Sequence, residues 1–306
     1  MSGILKWLGE SWASFIDGDP FSTFASAAMG AFAGAVATSW RERRRAVIQE
    51  INNINAARTL SFSICNGFIA QKKQHIRGLK KEYDAARTEF IKAQAAAAAA
   101  PGKLHVVELS ANYGTLTQAS LPIAALQSHV LEKISMTGRG LMCAVQLGQV
   151  YDAFNRSIAD RNTLSVELRE GRQKHGLSDK DVAYLYFGLP TVGGRDDRFK
   201  DNLTALSEYA DDGIFFSKLL AEDLGAYGKA LRRRNRWRVW SLPRIGTEDW
   251  SDVEKEGLLP PAENYAAWLS AFAPRKSRLS VVGAWLGKRW RYGAFADVVG
   301  TGAGTK

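Results

Sequence analysis

Residues 20–45 read PFSTFASAAMGAFAGAVATSWRERRR, and the reading of this stretch decides the architecture of the 306-residue chain. No charged side chain occurs from Phe21 to Trp40. That is about the length a helix rising ~1.5 Å per residue needs to cross a bilayer. Arg41, Arg43, Arg44 and Arg45 follow at once, whereas the residues ahead carry Lys6 against Glu10, Asp17 and Asp19. This asymmetry is the one expected at the cytoplasmic end of a span. The stretch is therefore predicted as a single transmembrane helix over residues 20–40, with the N-terminus outside, the body in the cytoplasm and the chain in the cell inner membrane. Its apolarity is weak, because Phe24, Met29, Phe32 and Val36 are the only large apolar residues in an interior of Ala, Gly, Ser and Thr. A buried Ala-rich helix is the competing reading. A cleaved signal peptide fits poorly, since the basic cluster follows the apolar stretch.

Ser26, Gly30, Gly34 and Thr38 recur every four residues within this helix. They line one face with small side chains, as in membrane helices that approach closely. The expectation is a helix-association face and a homo-oligomer.

Upstream, in residues 1–19, Ile4, Leu5, Leu8, Trp12, Phe15 and Ile16 keep helical spacing, and Asp17-Gly18-Asp19-Pro20 forms a turn. This predicts an interfacial amphipathic helix anchored by Trp7 and Trp12.

Downstream, residues 41–171 read as a long antiparallel helical hairpin. Val47, Ile51, Ile54, Cys65, Phe68, Ile76, Leu79, Tyr83 and Phe90 form an intermittent stripe, and Pro101-Gly102 after an Ala run suits the hairpin tip. A second helical pattern opens near Ser120 and continues to about Leu168, interrupted at Thr137-Gly138-Arg139-Gly140. Two long helices joined by a short connection pack antiparallel. Residues 172–240 complete a helical bundle. In them Leu203, Leu206, Ala210, Gly213, Ser217, Leu220, Leu224, Tyr227 and Leu231 alternate steps of three and four, the pattern of a core helix or of an intermolecular coiled coil. The fold class is thus mainly α: an N-terminal amphipathic helix, one transmembrane helix, then the hairpin and bundle.

Residues 241–306 form a basic, aromatic C-terminal segment with a Gly/Thr-rich tail. Arg232, Arg233, Arg234, Arg236 and Arg238 interleave with Trp237, and Lys288, Arg289 and Arg291 interleave with Trp285 and Trp290. With a formal net charge of +10, such mixtures suit anionic lipid surfaces or nucleic acid. A solvated helix end whose cations complement the dipole is the plain structural reading of the first cluster.

No catalytic, cofactor-binding or metal-binding residues stand out. His75, His105, His129 and His175 are scattered, and neither GxSxG, CxxC nor a phosphate-binding loop occurs. Two cysteines, Cys65 and Cys143, read as buried thiols. Asp211-Asp212 and Glu222-Asp223 lie too far apart along a helix to act on one bond, and read as solubilising surface. The layout resembles bacterial membrane-anchored proteins in general. The expected function is a cytoplasmic interaction, scaffolding or sensing platform, with the lipid bilayer, a second copy and a protein of unknown identity as partners and no cofactor. The alternatives are a membrane-disrupting effector whose N-terminal segment inserts under control of the bundle, and a soluble nucleic-acid-binding protein.

Overall fold

A computed structural model describes residues 20–100, 111–174, 176–191, 194–237 and 241–273. The chain is mainly helical. Helix α1 spans Pro20–Gln71; a π-helical turn, Lys72–Ile76, joins it to α2, Arg77–Ala99. Helix α3, Ile123–Glu132, precedes α4, Arg139–Lys174, and the short α5, Asp179–Phe187. Strands β1 (Pro190–Thr191) and β2 (Gly194–Arg195) pair antiparallel before the long α6, Arg198–Asn235. The short α7 (Ser251–Lys255), a 3-10 turn (Ala262–Tyr265) and α8 (Ala266–Ser270) follow. Two compact units emerge. One holds residues up to Asn52 together with Leu231–Pro243, and the other holds Asn53–Ala230 with the residues from Arg244 onward. The amphipathic helix expected over 1–19, with Trp7 and Trp12, lies outside the described residues, as do the hairpin tip at Pro101-Gly102, Arg238, Trp285, Lys288, Arg289, Trp290 and Arg291.

The larger unit is built on α6. Its heptad stripe is buried as the spacing requires, from Leu203 through Leu206, Ala210, Gly213, Ser217 and Leu220 to Leu224. The small residues in the middle of this stripe admit α1. A Cβ on Gly213 would come within 2.6 Å of the Phe68 ring, Ser61 Oγ donates to the Ser217 carbonyl at 2.7 Å, and Cys65 Sγ lies 3.7 Å from the Ile214 carbonyl. Residue numbers rise along α6 as they fall along α1, so the two are antiparallel. Helix α4 is also antiparallel to α6: Arg139 pairs with Asp223 through two hydrogen bonds of 2.9 and 2.5 Å, and Asn202 Nδ2 donates to the Ser157 carbonyl at 3.0 Å.

It follows that α1–α2 and α4 run in the same direction. Asn53 Nδ2 donates to the Lys133 carbonyl just before α4, Phe68 meets Phe154 edge-on at 5.5 Å, and Leu79 and Tyr83 share a core cluster with Leu168. This departs from the expected antiparallel hairpin, and the cause is the connection. Residues 111–119 are non-helical; Asn112, Gly114 and Leu116 meet Arg161 and Asn162 while Ala119 meets Asn155, so this segment and α3 lead back toward the start of α4 in place of a second long helix.

What fastens residues 111–119 to α4 is a row of α4 side chains. Asn162 exchanges two hydrogen bonds with the Leu116 backbone (2.9 and 2.8 Å), and Asn155 does the same with Ala119 (2.9 and 3.1 Å). Tyr151 donates to the Ala119 carbonyl at 2.9 Å, and Arg161 donates to the carbonyls of Gly114 and Asn112 at 2.5 and 3.0 Å. Side-chain amides thus satisfy backbone groups that a neighbouring strand would otherwise satisfy. An aromatic cluster of Tyr83, Tyr186, Phe187 and Phe199 closes this end of the unit, with the Tyr83 hydroxyl donating to the Tyr186 carbonyl at 3.1 Å. Helix α5 starts on a capping box between Ser178 and Asp181 and stops at Gly188, whose φ of 62° is the left-handed conformation glycine adopts without a Cβ penalty.

The acidic pairs are structural. Asp211 binds Lys72 at 2.5 Å, Asp223 binds Arg139, and Asp212 accepts the Tyr265 hydroxyl at 2.8 Å beneath the Phe215–Tyr265 ring stack. Burial raises the Asp212 carboxyl above its ordinary value of 3.8, outweighing the Tyr265 hydrogen bond that lowers it, and Asp211 and Glu208 add to the rise. A raised folded-state value means this group favours folding fully below about pH 3.8 and loses that contribution as pH rises through the shifted value. Asp212→Asn keeps an acceptor for Tyr265 and removes the charge. It is expected to unfold at a higher temperature than wild type at neutral pH. The gap should close toward about pH 4 when melting is followed by circular dichroism.

Candidate membrane-facing site

The smaller unit contains the stretch with which the sequence reading began. Residues 20–40 are helical as expected, but among the described residues no helix is long and apolar enough to cross a membrane. The predicted transmembrane helix is therefore not found. The physical reason is composition. Phe21, Phe24, Met29, Phe32, Val36 and Trp40 are the only bulky apolar residues of this stretch, and its seven alanines, two glycines and five hydroxyl residues contribute little transfer energy.

The geometry of this helical arm is nonetheless distinctive. Phe24, Phe32, Met29, Val36 and Trp40 are 74, 72, 59, 52 and 47% exposed. Five of the ten large apolar side chains recorded as exposed among the described residues thus fall within seventeen consecutive positions. A water-soluble surface scatters such residues singly; here they are concentrated. At about 100° per residue, all five fall on one half of the helix. Ser26, Gly30, Gly34 and Thr38 fall on the other half. A Cβ placed on Gly30 or Gly34 would meet nothing within 4 Å, so none of the described residues covers that face at the two glycines.

Among the described residues, the arm is followed in the same unit by eight arginines. Arg41, Arg43 and Arg45 are exposed and Arg44 half-buried, while Arg232, Arg233, Arg234 and Arg236 at the end of α6 are exposed. Glu42 and Glu50 are the only carboxylates among the described residues of this unit. Trp237 is 81% exposed, with the Arg236 guanidinium 4.9 Å from its ring centroid. The sequence separates the two clusters by almost two hundred positions. The fold brings them into one unit, together with the apolar arm. Arg232, Arg233 and Arg234 also occupy the last turn of α6, where cations complement the helix dipole.

Cys65 and Cys143 are free and buried, and burial pushes the Cys65 thiol up to about 11 and the Cys143 thiol higher still, which leaves both inert as nucleophiles. Among the described residues no group of three or more His, Cys, Asp or Glu side chains is placed to hold a metal ion. Comparison with protein-family models, curated proteins and solved structures finds no match to the chain.

Proposed function

We propose that the protein is a membrane-attached helical platform, held on an anionic lipid surface by the arm of α1 and the arginines of the same unit, with its larger helical unit as a bundle presented to partners. One observation carries the reading: among the described residues, exposed bulky apolar side chains and eight arginines against two carboxylates occupy one compact unit. Apolar side chains gain by leaving water, and each arginine near an anionic surface contributes about 1 kcal/mol. The low hydropathy of residues 20–40 favours attachment in the interface over a free-standing span. The open face at Gly30 and Gly34 supports self-association of attached chains, since small residues let helices approach closely. Nucleic acid would account for the arginines but not for Phe24, Phe32 and Val36.

Vesicle flotation tests the reading. The full chain is expected to float with vesicles containing phosphatidylserine, more weakly with phosphatidylcholine alone, and to show a smaller difference between them when Arg41, Arg43, Arg44 and Arg45 are changed to glutamine. Equal failure to float with both compositions, together with salt-sensitive binding to RNA or DNA, would replace lipid with nucleic acid as the partner.

A further inference from the structure

Arg161 stands in a core position. With Val150, Phe154, Ile158, Ser165 and Leu168 it continues a buried stripe of α4, and it is 1% exposed. Arginine is charged at every physiological pH, so a buried arginine needs a counter-charge. The chain supplies one elsewhere. Arg58, in the equivalent stripe of α1, is paired with Glu248. Among the described residues no carboxylate forms an ion pair with Arg161. Its hydrogen bonds among the described residues go to the carbonyls of Asn112 and Gly114, and its buried Nε finds no partner there. Burial pulls its pKa below the ordinary arginine value, offset slightly by Tyr186, so the fold resists this charge without neutralising it. The Phe199 ring 6.0 Å away is its remaining compensation.

An open cleft of about 300 Å³ adjoins Arg161. Its walls come from His75 of the π turn, Gly78 and Glu82 of α2, and Asn112 and Thr115 of the pinned segment. This volume is at the lower end of small-molecule sites. The π turn contributes directly to one wall, and such insertions into α-helices recur at functional sites. His75, Asn112 and Thr115 bring hydrogen-bonding side chains to the rim, and Glu82 is the one carboxylate lining it.

We propose that this cleft binds a small anion whose carboxylate or phosphate group pairs with Arg161, supplying the counter-charge that Arg58 finds in Glu248 and that no carboxylate among the described residues gives Arg161. The site stands apart from the lipid reading and is independent of it. Binding would also bear on the fold, because Arg161 fastens the pinned segment through Asn112 and Gly114, so an occupied cleft steadies residues 111–119.

The test is titration of the full chain, solubilised in a non-ionic detergent, with inorganic phosphate and separately with acetate, read from broadening of the phosphorus signal or the methyl proton signal. Saturable binding of one anion is expected, and which of the two binds identifies the group recognised. Gly78→Leu is the decisive variant. A Cβ at Gly78 meets nothing within 4 Å, so the longer side chain enters the cleft while the helix loses an unfavourable glycine and keeps its fold. It should weaken binding at least tenfold with an unchanged circular dichroism spectrum, and Arg161→Gln should weaken it as much. Absence of saturable binding to either anion, or binding that Gly78→Leu leaves unchanged, would overturn the site and leave Arg161 as a clamp alone.

Discussion

Replacing Arg58 with methionine is expected to destabilise the larger unit by about 3–5 kcal/mol, the cost of leaving a buried carboxylate without its partner. The Arg58 and Glu248 side chains are only 5 and 15% exposed. Besides the ion pair, the guanidinium donates to the Gly246 carbonyl and, through Nε, to the Ala221 carbonyl at 3.3 Å. It therefore binds α1, α6 and the segment after α6 into one arrangement, and Asn55 reinforces it by donating to the Arg244 carbonyl at 2.9 Å. Gly225 lets this happen, since a Cβ there would approach the guanidinium to 3.3 Å. For a unit of this size, such a loss lowers the melting temperature by roughly 10 °C. Arg58→Met combined with Glu248→Leu should recover much of it, because removing both charges leaves no unpaired ion. Thermal unfolding of the two variants distinguishes an ion pair that matters only for being complete from one that contributes on its own.

The second large effect concerns the arm. Phe24→Ser with Phe32→Ser removes two rings that are 74 and 72% exposed, so stability in water should be almost unchanged. Each ring is worth about 1.5–3 kcal/mol when transferred from water to an apolar phase. Losing both should reduce partition into anionic vesicles by about two to four orders of magnitude. The contrast is diagnostic. Core phenylalanines such as Phe68 and Phe154 would cost stability if truncated, whereas Phe24 and Phe32 would cost only attachment. Gln substitutions at Arg41, Arg43, Arg44 and Arg45 should act differently again, removing the part of the binding that salt screens.

Much of the helical content was legible from spacing. The stripe of α6 from Leu203 to Leu224 is buried as its three-four pattern requires. Direction was not legible. Two long helical patterns imply an antiparallel pair only if the link between them is short and tight. Here residues 111–119 stay non-helical, and Asn155, Arg161 and Asn162 hydrogen-bond to their backbone. Nothing in local propensity reveals that a polar face of α4 serves a distant segment. Arg58 and Arg161 did leave a trace, since each interrupts an apolar stripe at a core position, Ile51, Ile54, Arg58, Ser61, Cys65 in one case and Phe154, Ile158, Arg161, Ser165 in the other. The partner of Arg58 lies 190 positions away, and only the fold identifies it.

The arm shows the opposite limit. Its lack of charge and its arginine flank suggested a span, and hydropathy alone does not sustain one. Exposure adds what composition could not: Phe24, Met29, Phe32, Val36 and Trp40 face outward together, and the arginines of α6 join those of α1 in one unit. That is why attachment, and not crossing, is the reading the geometry favours. Self-association through Gly30 and Gly34 would concentrate these arms without requiring any one of them to be strongly apolar.

The claim that the arm holds the protein at lipid is tested most directly by fractionating cells that express the full chain or a chain lacking residues 1–40, at physiological salt. The account predicts the full chain in the membrane pellet and the shortened chain in the supernatant. Finding both chains in the supernatant, or both in the pellet, would contradict it.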